Sequence, residues 1–205
     1  MKFLKTLVAT AALAASLGAQ AAVVGSLGGG AGTFLTLSAP GACGSCTLGT
    51  TVATISGGTI YDAKMGFADD VVTGERFLAA GPTSGSPSTL TFGGGGVDYI
   101  SFLWGSPDLY NTLTVNSTGA GPNSQVFTTT SLGFPVSNGD QSFQQSVQFT
   151  ALANGKITSL VFASSADAFE VGRFTVTPIP EPETYALMMA GLGALGFVAR
   201  RRRKV

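Results

Sequence analysis

Cys43 and Cys46 enclose only Gly44 and Ser45. That spacing serves three chemistries: a local disulfide, a redox dithiol, or half of a metal site. A redox pair should open a helix within a βαβ pattern, whereas SAPGACGSCTLGT is a Gly/Ser/Thr loop with no helical period. Zinc would need a second ligand pair, and the chain has 2 Cys and 0 His. A structural disulfide is expected, with free thiols as the alternative. The missing histidine also removes Ser-His-Asp and Cys-His catalysis. Two carboxylates would suffice for glycoside hydrolysis, but no spacing selects one pair from the acids present. Asp69 and Asp70 could offer oxygen ligands to Ca²⁺. Strand neighbours point to opposite faces, so a solvated loop is the plainer reading. Trp104 and Tyr110 flank a polar turn containing Asp108 and Asn111. Exposed, these aromatics could stack on sugar rings; the alternative is core packing beside an Asx-type turn at Asp108. No catalytic residue, metal site or cofactor is expected.

The elements that position these residues lie between two unusual ends. Residues 1–21, MKFLKTLVATAALAASLGAQA, join a basic start (Lys2, Lys5) to an apolar Ala/Leu stretch and a small-x-small site, Ala19-Gln20-Ala21. This is the pattern of a secretory signal peptide. It predicts export through the Sec machinery, cleavage by signal peptidase, and a mature chain starting at Ala22. Between residues 22 and 178 there are four basic residues, Lys64, Arg76, Lys156 and Arg173. The nine acids are Asp62, Asp69, Asp70, Glu75, Asp98, Asp108, Asp140, Asp167 and Glu170, for a net charge of about −5. An acidic body without clustered Lys/Arg opposes nucleic-acid binding. A phosphate-cradle reading of Gly93–Gly96 fails for want of a following Lys and helix.

The far end reads PIPEPETYALMMAGLGALGFVARRRRKV from residue 178. Pro180-Glu181-Pro182 is stiff and extended, because proline fixes φ and restrains the residue before it. Residues 185–199 form an uncharged apolar run, and Arg200, Arg201, Arg202, Arg203 and Lys204 follow. As a helix the run would reach about 22 Å, against a hydrocarbon core of about 30 Å. Flanking residues and snorkelling arginines would close part of the difference. Basic residues stay cytoplasmic, which places the body outside, as the export signal does independently.

This tail resembles the PEP-CTERM sorting signal of Gram-negative surface proteins. The matching residues are Pro180-Glu181-Pro182, Thr184, Tyr185, Ala186-Leu187, Gly191-Leu192-Gly193 and the terminal arginines; Glu183 stands where the family usually has Ser. The resemblance implies recognition by an exosortase, an integral membrane cysteine protease or transpeptidase. Cleavage near Pro180–Pro182 would release the body from a transient inner-membrane precursor to the cell surface or the extracellular (biofilm) matrix, where exopolysaccharide is a potential partner. A permanent single-pass anchor is the alternative. Two stretches of the body are also similar to segments of PEP-CTERM proteins. One is VDYISFLWGSPDLYNTLTV, with Trp104, Gly105, Ser106, Asp108, Tyr110 and Asn111 in the joining turn. The other is VFASSADAFEVGRF, where relatives often carry Asp-Asn in place of Gly172-Arg173.

The body itself is rich in Ser, Thr and Gly, with short β-prone runs between turn residues. Strands are predicted at Thr33–Leu37, Thr51–Ile55, Arg76–Ala79, Thr89–Phe92, Val97–Trp104, Tyr110–Val115, Gln125–Thr130, Phe143–Thr150, Ile157–Ala163 and Phe169–Val176. Regular short strands suggest an antiparallel sandwich or barrel, and the family resemblance favours a jelly-roll-like sandwich. Phe169 and Val171 share one phase, Phe174 and Val176 the other, which predicts a β-bulge near Gly172. The expected chain is all-β: a sandwich over 22–177, a signal helix before it, and a sorting segment with a transmembrane helix over 178–205. The expected function is that of a non-enzymatic, exosortase-sorted surface or matrix protein. A carbohydrate-binding module or a secreted hydrolase are the alternatives.

Overall fold

The computed structural model describes residues 22–30, 32–50, 52–62, 76–177 and 191–192. The signal peptide with Ala19 and Ala21, the Asp69-Asp70 pair, the Pro180–Pro182 motif and the basic residues 200–204 lie outside the described residues. So does all of the predicted 185–199 helix apart from Gly191 and Leu192. Among the described residues there are fourteen strands: β1 (Val23–Leu27), β2 (Thr33–Leu35), β3 (Gly41–Ala42), β4 (Cys46–Leu48), β5 (Ala53–Ser56), β6 (Thr59–Asp62) and β7 (Arg76–Ala80) come first. β8 (Ser88–Phe92), β9 (Tyr99–Gly105), β10 (Asn111–Ser117), β11 (Ser124–Thr128), β12 (Gln144–Ala151), β13 (Ile157–Ser164) and β14 (Phe169–Val176) follow. One helical turn, α1 (Thr129–Leu132), stands where the last predicted residues of β11 would be. Thr128 caps it and Gly133 closes it in the left-handed region, so local capping ends the strand.

All pairings between these strands are antiparallel. The larger sheet has eight strands in the order β1-β12-β9-β14-β7-β6-β3, with β2 also on β14; the smaller has six, in the order β11-β10-β13-β8-β5-β4. From β7 onward the chain alternates between the sheets, apart from the β10–β11 hairpin. The resulting quartets, β12-β9-β14-β7 and β11-β10-β13-β8, follow the strand order of an eight-stranded jelly roll. The first six strands extend both sheets.

Alternation explains the core. Phe102 and Trp104 of β9, Phe169 of β14 and Phe149 of β12 face Leu113, Val115, Leu160 and Phe162 of the other sheet, all of them buried. Phe162 meets Phe102 and Phe169 edge-on at centroid distances of 5.6 and 5.3 Å, a favoured aromatic geometry.

The four strands that the sequence reading lacks each have a local reason. β1 holds Gly25, a poor strand former, because a Cβ there would come within 2.6 Å of the Phe149 ring. β3 and β4 are two and three residues long, and they belong to different sheets. Cys43 and Cys46 are joined by a disulfide at this corner. It therefore staples the place where the chain crosses between layers. β6 hides behind Gly57 and Gly58, both at positive φ.

Candidate functional site

The predicted site residues sit on the β9–β10 connection. Trp104 ends the apolar run of β9 and is 0% exposed, stacked on Phe169 at 4.1 Å and edge-on to Phe134 at 5.1 Å. The expectation of an exposed Trp104 stacking on sugar is thereby corrected: its phase in β9 turns it into the core. Its Nε1 is buried without a hydrogen-bond partner in the protein. Asn111 starts β10 on the inward phase; its Oδ1 accepts from Ser164 Oγ at 2.9 Å, while its Nδ2 is unpaired. Asp108 is 8% exposed. The turn is closed by Asn111 N–H donating to the Asp108 carbonyl at 3.2 Å, a backbone bond and not the Asx-type bond expected. The Asp108 carboxylate instead lies against Gly139, where any Cβ would come within 2.7 Å of Oδ1. Only Tyr110 reaches solvent, with 37% of its surface exposed.

Around these residues the structure collects groups that spacing did not reveal. Ser106 Oγ donates to Glu170 Oε2 at 2.5 Å. Glu170 is 2% exposed. It pairs with Gly105 and Ala79 in register, so it points away from the core between Phe169 and Val171 and is nonetheless covered. Burial first, and then the charge of Asp108, push its carboxyl above the ordinary range, opposed by the Ser106 hydrogen bond. The Tyr110 phenol is pushed up to about 12 by burial, by its hydrogen bond with Asp108, and by the charges of Asp108, Asp167 and Glu170. Its hydroxyl also donates to the Asp167 carbonyl at 3.2 Å. The Asp167 carboxylate is occupied by Thr83, through both N–H and hydroxyl. Its one sequence signal was an acid, Glu170, set among apolar neighbours in AFEVGRF. Among the described residues, no group of three or more His, Cys, Asp or Glu could hold a metal.

A second feature opens on the outer face of the larger sheet. β14 has β9 along one edge throughout, but its other edge is shared: β7 pairs with Phe169–Gly172 and β2 with Phe174–Val176. The register shifts between Gly172 and Thr175, the bulge that the phase change predicts. Arg173 occupies it with φ +52°. A cavity of about 290 Å³ lies where β7 gives way to β2, lined by residues 34–37, Asp62, Arg76 and Arg173. A neighbouring one of about 240 Å³ shares Phe34 and Arg173 and includes Ser101, Ser146 and Thr175.

The fold and sites thus define an all-β jelly-roll body whose last strand ends at Val176, two residues before residue 178. There, a family model for the PEP-CTERM protein-sorting motif matches residues 178–203. The chain therefore carries a sorting signal of exported proteins, which implies export to the cell envelope or surface and an exosortase as processing partner. No curated protein matches the chain, and no solved structure does.

Proposed function

We propose that the chain is a non-enzymatic surface or matrix protein, released from the inner membrane by cleavage at its Pro180–Pro182 motif. The observation that carries this is the position of the sorting motif, which begins at 178, two residues after β14 ends at Val176. A cut at 180–182 spares every strand of the body. Thr177 lies within about 11 Å of Pro180 even along a fully extended chain, so the enzyme must work close against the folded sandwich. The signal peptide delivers the chain to Sec and signal peptidase, residues 185–199 hold it in the inner membrane, and residues 200–204 stop on the cytoplasmic side. The hydrolase alternative is weakened by burial: Glu170 and the neighbouring Asp108, whose charge acts on it, are 2% and 8% exposed.

The test is the intact mass of the protein from its native host, in membrane and external fractions. The expected released form begins at Ala22 and ends between Pro180 and Glu183. A membrane-bound form that retains Arg200–Arg203 would establish a permanent anchor instead.

A second reading, a carbohydrate-binding body, is favoured by one observation. Phe34 is 45% exposed beside Arg173 in an open cavity, the apolar-plus-polar surface that a sugar ring requires.

A further inference from the structure

We propose that β1 is an exchangeable strand, and that the partner it fits is a second copy of this chain. In the exchanged pair, Val23–Leu27 of each copy lies along β12 of the other. The proposal adds a partner to the surface-protein reading. It does not depend on where the tail is cut or on what the body binds.

The acceptor comes first. β1 ends the larger sheet and, among the described residues, pairs with β12 alone. It fills a shaped slot. Val23 is buried, and the amide of Gln125 on β11 stands in for a further strand beside it. Nε2 donates to the Val23 carbonyl at 3.2 Å, and Oε1 accepts from the Val23 N–H at 2.6 Å. Two positions on, a glycine is required, because a Cβ on Gly25 would come within 2.6 Å of the Phe149 ring and 2.9 Å of the Phe127 ring. Leu27 then packs against the core. Together these features fix the register of a Val-x-Gly-x-Leu strand. A second copy carries the same strand, so a slot complementary to β1 within one chain is complementary to β1 of another.

The hinge is the second observation. β1 is followed by Gly28-Gly29-Gly30-Ala31-Gly32. Cleavage before Ala22, which the signal-peptide pattern predicts, leaves this segment as the strand's one tether. Within one copy the path from β1 to β2 takes Gly30 through φ +96°, with open space where a Cβ would stand. Exchange straightens that path and keeps the strand contacts. The two forms therefore differ chiefly in the hinge and in the entropy of association.

Charge is the third. Residues 22–61 carry no charged side chain, and neither do 109–139 and 141–155, which hold β11 and β12. On a body of about −5, donor and acceptor meet where like-charge repulsion is least. Neither VVGSL of β1 nor SQVFT of β11 has the Lys or Pro that commonly guards a sheet edge. The opposite margin, at β3 and β4, is tied by the disulfide. Sequence distance acts in the same direction. Ser26 meets Gln148 across 122 positions, so docking within one chain closes a long loop and has little advantage over a neighbouring copy.

Ser26 and Gln148 supply the test, because Gln148 Nε2 donates to Ser26 Oγ at 3.1 Å across the two strands. Full chains carrying Ser26→Cys or Gln148→Cys, each with its own affinity tag, are exported together and solubilised in detergent. A short bis-maleimide is added without reductant, so that the Cys43–Cys46 bridge stays closed. A product of two chains carrying both tags is expected, about tenfold or more above that from Ser26→Cys paired with Thr91→Cys, an exposed position on β8. Gly30→Ala in both chains should raise the yield about threefold, since a side chain strains only the path within one copy. Gly25→Val on the Ser26→Cys chain should lower it about fivefold. Equal yield from the Thr91→Cys control would show association through another surface, the tail included, and would overturn the proposal. So would a double variant, Ser26→Cys with Gln148→Cys, that joins only within single chains while the mixed single variants give no two-tag product. A yield that Gly30→Ala fails to raise, or that Gly25→Val leaves unchanged, would overturn it as well.

Discussion

The two halves of β14 carry the same kind of side chains inward and opposite kinds outward. Toward the core, Phe169 and Val171 in the first half and Phe174 and Val176 in the second are all buried. Toward the outside, the first half presents Glu170, sealed beneath its surroundings and bonded to Ser106. The second half has exposed Phe34 alongside, with Arg173 at the junction. The neighbouring strand makes the difference. β7 carries Phe77 and Ala79 on its outer face, in a small apolar cluster with Leu103 and Ala168, whereas β2 is three residues long and leaves the sheet open beside it. One strand thus runs from a closed acidic site to an open cavity lined by Asp62, Arg76 and Arg173, separated by a single bulge.

If the halves are equivalent toward the core, their large side chains should be equally costly to remove. Phe169→Ala, which strips Trp104 of its stacking partner, and Phe174→Ala should each cost about 3–5 kcal/mol. Denaturant unfolding of both would show it, and a Phe174→Ala cost under half that of Phe169→Ala would break the equivalence. The corner disulfide touches neither half. Cys43→Ser should cost about 2 kcal/mol on loop-closure entropy for so short a loop, with the same loss seen in wild type under reductant; no loss under reductant would show free thiols.

The outward contrast gives smaller effects of definite sign. The Glu170 carboxyl is raised in the folded state, so its contribution to stability is full below the unfolded value and is lost as pH rises through the folded one. Wild type should therefore gain stability on mild acidification across that window. Glu170→Gln should remove that slope and raise the melting temperature at neutral pH, by about 2–4 °C for each kcal/mol relieved. A slope that survives the substitution would assign it to another group. Arg173→Gly should change stability least, by a gain of under about 1 kcal/mol from relieved left-handed strain offset by added unfolded-state freedom. A large loss would mean that the guanidinium holds the bulge together, and the groove would be structural.

The strands of the jelly roll were legible because their apolar residues alternate over five to eight positions, as in Leu113 and Val115 or Val147 and Phe149. The bulge at Arg173 was legible for the same reason, as a change of phase. Short strands were not: β3 and β4 carry too few residues for a period to show, and β1 is masked by a glycine kept for Phe149. Of the site residues, the turn from Trp104 to Asn111 was visible as a motif, but periodicity in β9 already turned Trp104 inward. The Ser106–Glu170 pair and the Phe34–Arg173 groove join residues more than sixty positions apart in the chain. Only strand order brings them together, and order is not written in local pattern.

The last strand of the domain lies in the middle of its sheet. Without β14 the larger sheet falls into two three-stranded pieces, β1-β12-β9 and β7-β6-β3, with β2 left unpaired. A chain that emerges from a translocation pore amino end first must therefore wait, its halves unjoined, until residue 176 has cleared. Only a few residues later the sorting motif follows. Completion of the domain and arrival of the cleavage segment are thus nearly simultaneous events, so a release step acting on that segment meets chains whose closing strand has just become available.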